Sequence, residues 1–253
     1  MCYDDNARPP QPPVSGDGAH GTDLVLTASD GNRFMAYLAE PVSPSGAQVL
    51  IYPDIRGLHQ FYKELALRFA EVGIRALALD YFGRTAGISS RDDSFEYWPH
   101  VQQVKMQTFF ADVAASIDRL RASAQNEALF TLGFCFGGSL SLLSSREDFG
   151  QAGGVAFYAG LGRQMAGSDG TVQDLARSIR HPVLGLFGGA DQGIPTESVK
   201  QLDLDLDQAG VEHEVVIYPG APHSFFDRKA TEFADASTDA WKRLLNFIDA
   251  HKR

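Results

Sequence analysis

Apolar and polar positions switch between two periods along this chain. "DLVLTA" (23–28) and "RFMAYLAE" (33–40) are short apolar runs flanking "SDGN", and an Asp-Gly turn between such runs predicts an antiparallel hairpin. "QVLIYP" (48–53) is apolar without a break, the pattern of a strand covered on both faces. Then the period lengthens. Phe61, Leu65, Phe69 and Val72 recur at helical spacing and stop at Gly73, a helix terminator. "IRALALD" (74–80) is the next predicted strand, followed by a helix with Phe109, Val113, Ile117 and Leu120 on one face. Further strands are predicted at "ALFTLGF" (128–134), "GGVAFYA" (153–159), "PVLGLFG" (182–188) and "HEVVIYP" (213–219). Helical stretches lie at "SLSLLSS" (139–145) and 197–208, and a last helix carries Phe233, Ala240, Leu244 and Phe247.

A hairpin followed by strand–helix alternation predicts an α/β fold. Its central sheet is mostly parallel, with an N-terminal antiparallel hairpin and helices on both faces. Residues 1–22, rich in Pro, Gly, Asp and Ser, read as an extended or mobile arm. Residues 23–253 read as a single domain, because no repeat or composition break divides them. In such sheets ligands bind at the carboxyl ends of the strands, so the chemistry is sought there.

Composition narrows the classes. A chain of 253 residues, 44% hydrophobic, can bury a full core without disulfides or structural metals. The net charge of -10, with no run of Lys or Arg, argues against a nucleic-acid partner. "MCYDDNARPPQPPVSGDG" lacks the basic start and apolar centre of a secretory signal. No stretch approaches the roughly 18 apolar residues of a spanning helix, so no membrane partner is expected. The two cysteines, Cys2 and Cys135, read as free thiols in a reducing, cytoplasmic compartment. Zinc-type cysteine spacing is missing and the seven histidines form no HExxH pair, so neither metal nor cofactor is expected.

Four polar groups follow predicted strands: Asp54 after "LIYP", Cys135 after "FTLGF", Asp191 after "LGLFGGA" and His223 after "VVIYPGAP". Nucleophile, acid and histidine come in the chain order of an α/β-hydrolase triad. In Gly-x-Cys-x-Gly-Gly, Gly133 and Gly137 allow backbones to approach on either side of a sharp turn. The turn holds Cys135 at a helix N-terminus, where the dipole and free N–H groups favour a thiolate and an oxyanion. A buried structural cysteine also fits such a position, and downstream partners in triad order favour the nucleophile. His223 would move the thiol proton, whereas His20, His100, His181, His213 and His251 read as surface groups. Asp191 would orient the imidazole, although an Asp there also suits a helix cap. Asp169 and Asp174 are its rivals, and delivery by a strand favours Asp191.

With these residues assembled, the chain resembles the dienelactone hydrolase family, the carboxymethylenebutenolidases, from about Asp23 to the C-terminus. The resemblance rests on "GFCFGG" (133–138), "GGADQGIP" (188–195) and "YPGAPHSFF" (218–226), with support from "YPDIRGL" and "ALDYFGR". It implies an α/β-hydrolase fold and a Cys-His-Asp triad that opens an unsaturated lactone through an acyl-enzyme. It also implies that Asp54, at a position where the family usually has Glu, assists the thiol. The backbone N–H groups of Ile55 and Phe136 would form the oxyanion hole. The implied substrate is a small anionic lactone or ester, so a local cation is needed. Arg84 matches one family arginine. The second, four residues after the histidine, is replaced by Asp227, and Arg228 follows it. Tyr81 would line the pocket. A broader carboxylesterase or thioesterase is the alternative, and a redox protein pairing Cys2 with Cys135 is a third reading. A monomer or a homodimer fits equally.

Overall fold

The structure, a computed structural model, describes residues 6–14 and 16–252. The chain opens with three strands, β1 (Ala19–Thr27), β2 (Arg33–Pro41) and β3 (Ala47–Tyr52). Helix α1 (Gln60–Glu71) leads to β4 (Arg75–Leu79), two single-turn helices α2 (Gly83–Ala86) and α3 (Trp98–Val101), and the long α4 (Met106–Ser123). Then come β5 (Ala128–Phe134), α5 (Phe136–Ser144), β6 (Gln151–Phe157) and the short α6 (Val172–Leu175). The chain ends with β7 (Val183–Gly188), α7 (Thr196–Ala209), β8 (His213–Tyr218) and α8 (Ala234–His251).

All eight strands form one sheet in the order β1-β2-β4-β3-β5-β6-β7-β8. The β1–β2 and β2–β4 pairs are antiparallel, and every pairing from β4 through β3 to β8 is parallel. This is the mostly parallel sheet with an N-terminal hairpin that the pattern predicts, and the α/β-hydrolase arrangement that the resemblance implies. Side chains alternate along β5 and sort the helices onto two faces. Phe130 packs its ring on Phe247 of α8 and Phe134 on Tyr62 of α1. Thr131, on the opposite face, hydrogen-bonds Ser141 of α5 at 2.9 Å. The unbroken apolar runs at β3, β4 and β7 are buried at every residue, as double coverage requires. Among the described residues no helix is long and apolar enough to cross a membrane.

One boundary differs from the sequence reading. Strand β1 begins at Ala19, so 19–22 belong to the sheet, with Ala19 opposite Pro41 and Thr22 opposite Leu38. It is an edge strand whose residues are mostly exposed, so its start carries no apolar signal. The described part of the arm before it packs along α1 and α8. Trp241 Nε1 donates to the Pro10 carbonyl at 3.0 Å, and the Asp17 amide to the Glu71 carbonyl at 2.7 Å. Cys2 lies outside the described residues, and with it the expected Cys2–Cys135 alternative.

Candidate active site

Strand β5 ends at Phe134 and α5 starts at Phe136, so one residue, Cys135, makes the whole turn. Its φ of 53° and ψ of -110° cost a non-glycine residue on the order of 1–3 kcal/mol. The neighbouring glycines explain how that strain is held. A Cβ on Gly133 would lie 1.9 Å from the Gly137 carbonyl oxygen, and one on Gly137 would lie 2.1 Å from that of Tyr52. The elbow is therefore pressed against the end of β3, where Asp54 and Ile55 stand. Cys135 is half-buried, and its amide donates to the Phe157 carbonyl at 3.0 Å. The amides of Phe136 and Ile55 donate to no protein oxygen among the described residues. For Phe136 this follows from its place as the first residue of α5.

Asp191 and His223 meet across the β7 and β8 loops. His223 Nδ1 lies 2.6 Å from Asp191 Oδ2, and Asp191 Oδ1 accepts the Gly193 amide at 2.8 Å. The acid side chain is 2% exposed and the imidazole 32% exposed, so the carboxylate is shielded while the ring is partly open to solvent. Backbone bonds lace the two loops: the Gly189 amide donates to the Tyr218 carbonyl at 2.8 Å, and Ala190 to Ala221 at 2.9 Å. Asp169 does not enter this pair, and Asp174 caps α6 through Thr171.

The side of the site built on β3 and β4 is arranged differently. Asp54 is fully buried; its Oδ1 accepts the Arg56 amide at 2.9 Å, and its own amide donates to the Tyr62 hydroxyl at 3.0 Å. The Arg56 guanidinium pairs with Asp93. Tyr81 turns its hydroxyl to the carbonyls of Pro53 and Asp54 and its ring to Phe136, bracing the Asp54 turn. Beneath that turn, Asp80 and Arg91 form an ion pair at 2.9 Å, fully buried on both sides. Burial pushes the Asp80 carboxyl up, opposed by the Arg91 charge.

Of the two cations expected to hold an anionic substrate, neither is set up as the resemblance implies. Arg84 is spent on Asp30, on Asp112 and on the Thr108 carbonyl, at 2.5, 2.8 and 3.0 Å. Arg228 is exposed, and its amide rather than its guanidinium serves the site, by donating to Asp227. Asp227 itself is buried beside the histidine and accepts the Tyr158 hydroxyl at 2.8 Å. Burial pushes its carboxyl well above the usual range and nearby Asp54 adds to this, against the hydrogen bonds from Tyr158 and Arg228.

Two residues join the site that the motifs did not mark. Tyr158 follows β6 with φ 37° and lays its ring 4.8 Å, centre to centre, from that of His223. Arg163, on the connection from β6 to α6, sits over the Phe136 ring at 5.3 Å. The strand-end rule that finds Asp191 also points to Tyr158. Arg163 has no such signal. Cys135, Tyr158 and Ser224 are the only non-glycine residues with positive φ among the described residues, and all three sit at this edge. No group of three or more potential metal ligands occurs among the described residues.

Comparison with known proteins identifies the family. The model of the dienelactone hydrolase family matches residues 34–252. A protein of Methylorubrum extorquens named "putative carboxymethylenebutenolidase" is 31% identical over 208 residues, covering 79% of this chain and 70% of its own length. A "probable 2-oxo-3-(5-oxofuran-2-ylidene)propanoate lactonase" of Bradyrhizobium is 26% identical, covering 90% of this chain and 94% of its own. The crystal structure of a "putative dienelactone hydrolase" from Klebsiella pneumoniae superposes with a TM-score of 0.77 at 26% identity, over 92% of this chain and 99% of that one. The chain belongs to the dienelactone hydrolase family and is a hydrolase of that type.

Proposed function

We propose that this hydrolase opens a small, unsaturated, anionic enol-lactone to an acyclic dicarboxylate through an acyl-thioester on Cys135. The observation that carries the reading is the 2.6 Å Asp191–His223 bond, delivered by adjacent strand ends to the edge where the turn holds Cys135. With Nδ1 bound to Asp191, Nε2 is the atom that takes the thiol proton. The sulfur attacks the lactone carbonyl, and the developing oxyanion is met by the Ile55 and Phe136 amides. Collapse breaks the ring C–O bond, and His223 returns the proton to the leaving enol oxygen. Water, deprotonated by His223, then attacks the thioester and frees the thiol. Asp54 assists by favouring loss of the thiol proton toward the histidine.

A free thiol nucleophile suits a reducing cytoplasm. The relative named as a propanoate lactonase supports an anionic lactone as substrate. The test compares cis- and trans-dienelactone with neutral p-nitrophenyl esters. Faster turnover of the lactones is expected. Strong preference for the neutral esters would instead favour a broader carboxylesterase or thioesterase. The engagement of Arg84 and the acid at position 227 are the observations on that side.

A further inference from the structure

We infer that Arg163 is the cation that binds the carboxylate of the substrate, in a cavity walled by the residue next to the nucleophile. This rests on the proposal that Cys135 attacks an anionic substrate. The resemblance points to Arg84, but two aspartates already neutralise that arginine. Arg163 makes no ion pair among the described residues. Its charge is therefore not offset by an acidic partner, in a chain of net charge -10, and it lies over the ring of the residue that follows Cys135.

The surroundings suit a small anion with an unsaturated body. Arg163 lines an open cavity of about 440 Å³ together with Phe136, Val101, Val104 and Met165. That volume falls in the range of roughly 300–1,000 Å³ typical of small-ligand sites. Phe136, which directly follows Cys135 in the chain, is one of the residues lining the cavity. The cavity is lined by polar groups, Gln102, Gln164 and Ser168, as well as apolar ones; the apolar side chains would take the conjugated carbons and the guanidinium the carboxylate. The contact with the Phe136 ring leaves the guanidinium able to do so. The guanidinium makes no hydrogen bond among the described residues, so its N–H donors remain available to a carboxylate. The connection that carries Arg163 is tied at both sides. The Met106 amide donates to the Ala166 carbonyl at 3.0 Å, and the Gln173 amide to that of Leu161 at 2.9 Å.

The test reads charge preference at the thiol without relying on turnover. Cys135 is alkylated with iodoacetate or with neutral iodoacetamide, and its modification rate is followed by mass spectrometry of the Cys135 peptide. The ratio of the two rates is expected to fall roughly tenfold in Arg163→Met, as for loss of a charge-assisted hydrogen bond. Arg163→Lys, which keeps the charge, should retain most of the ratio and guards against a folding effect. Arg119→Met removes an exposed charge elsewhere and should leave the ratio as it is. An unchanged ratio in Arg163→Met, or an equal fall in Arg119→Met, overturns the assignment. If the ratio falls but the wild type does not open dienelactone, the anion site stands and the lactone reading fails. If dienelactone is opened and the ratio does not move, Arg163 is wrong and the lactone reading stands.

Discussion

The two flanks of Cys135 hold their charges by different means. On the β7–β8 flank, Asp191 and His223 come from loops stitched together by backbone hydrogen bonds, and each needs only its neighbour. On the β3–β4 flank, Asp54 sits on a turn propped by side chains: Tyr62, Tyr81 and the Asp80–Arg91 pair. Backbone lacing ties a functional pair to a short motif. Side-chain propping ties it to residues that can be exchanged together. Each flank departs from the resemblance at one position: Asp227, after β8, stands where an arginine is implied, and Asp54, after β3, stands where Glu is.

The largest expected effect comes from the residue that both flanks serve. Cys135→Ala should lower lactone hydrolysis by at least about 10⁴-fold in kcat with the melting temperature nearly unchanged. Retained activity would remove the nucleophile from Cys135. Asp191→Asn tests the laced flank: loss of tautomer control should lower kcat by roughly 10³–10⁴-fold while the fold persists. A loss under tenfold would show that the histidine is oriented by other contacts.

Stability should separate the flanks in the opposite sense. Arg91→Met leaves the Asp80 carboxylate buried without its counter-charge and should cost about 3–5 kcal/mol in urea unfolding. Arg84→Met frees Asp112, whose burial is relieved by Asn32 as well, and should cost less, about 1–2 kcal/mol. If Arg84 were a substrate-binding residue, its KM increase would exceed that of Arg163→Met, and the smaller increase is expected.

The subtlest difference concerns pH. The folded state keeps the Asp227 proton to higher pH than the unfolded chain does, so its contribution to stability is greatest at low pH. That contribution falls as pH rises from about 4 toward the raised folded value. Asp227→Asn removes this dependence. The variant should gain on the wild type as pH rises through that window in paired melting curves. A constant difference across the window would mean that Asp227 is ionised throughout.

The strands and long helices were legible because double burial and one-sided burial leave different periods. Phe61, Leu65 and Phe69 mark α1 as clearly as the unbroken run marks β3. The start of β1 was not legible, because an edge strand exposes most of its residues and has no period to show. The placement of Cys135 at the β5–α5 turn and of Asp191 beside His223 was legible because each sits within a few residues of a strand end. The engagement of Arg84 was not, since its partners Asp30 and Asp112 lie 54 and 28 residues away in sequence and meet it only through folding. Arg163 lies in a connection whose course depends on Lys105 and Ala166 pairing, which no local pattern encodes.

The bond from Trp241 to Pro10 joins positions 231 residues apart and makes the beginning and end of the chain one mechanical unit. Trimming the arm removes the acceptor of the indole N–H and part of its cover, a loss of roughly 0.5–1.5 kcal/mol for the hydrogen bond. Proteolysis at the front of the chain is thus felt first at its last helix, and Trp241 fluorescence would report it.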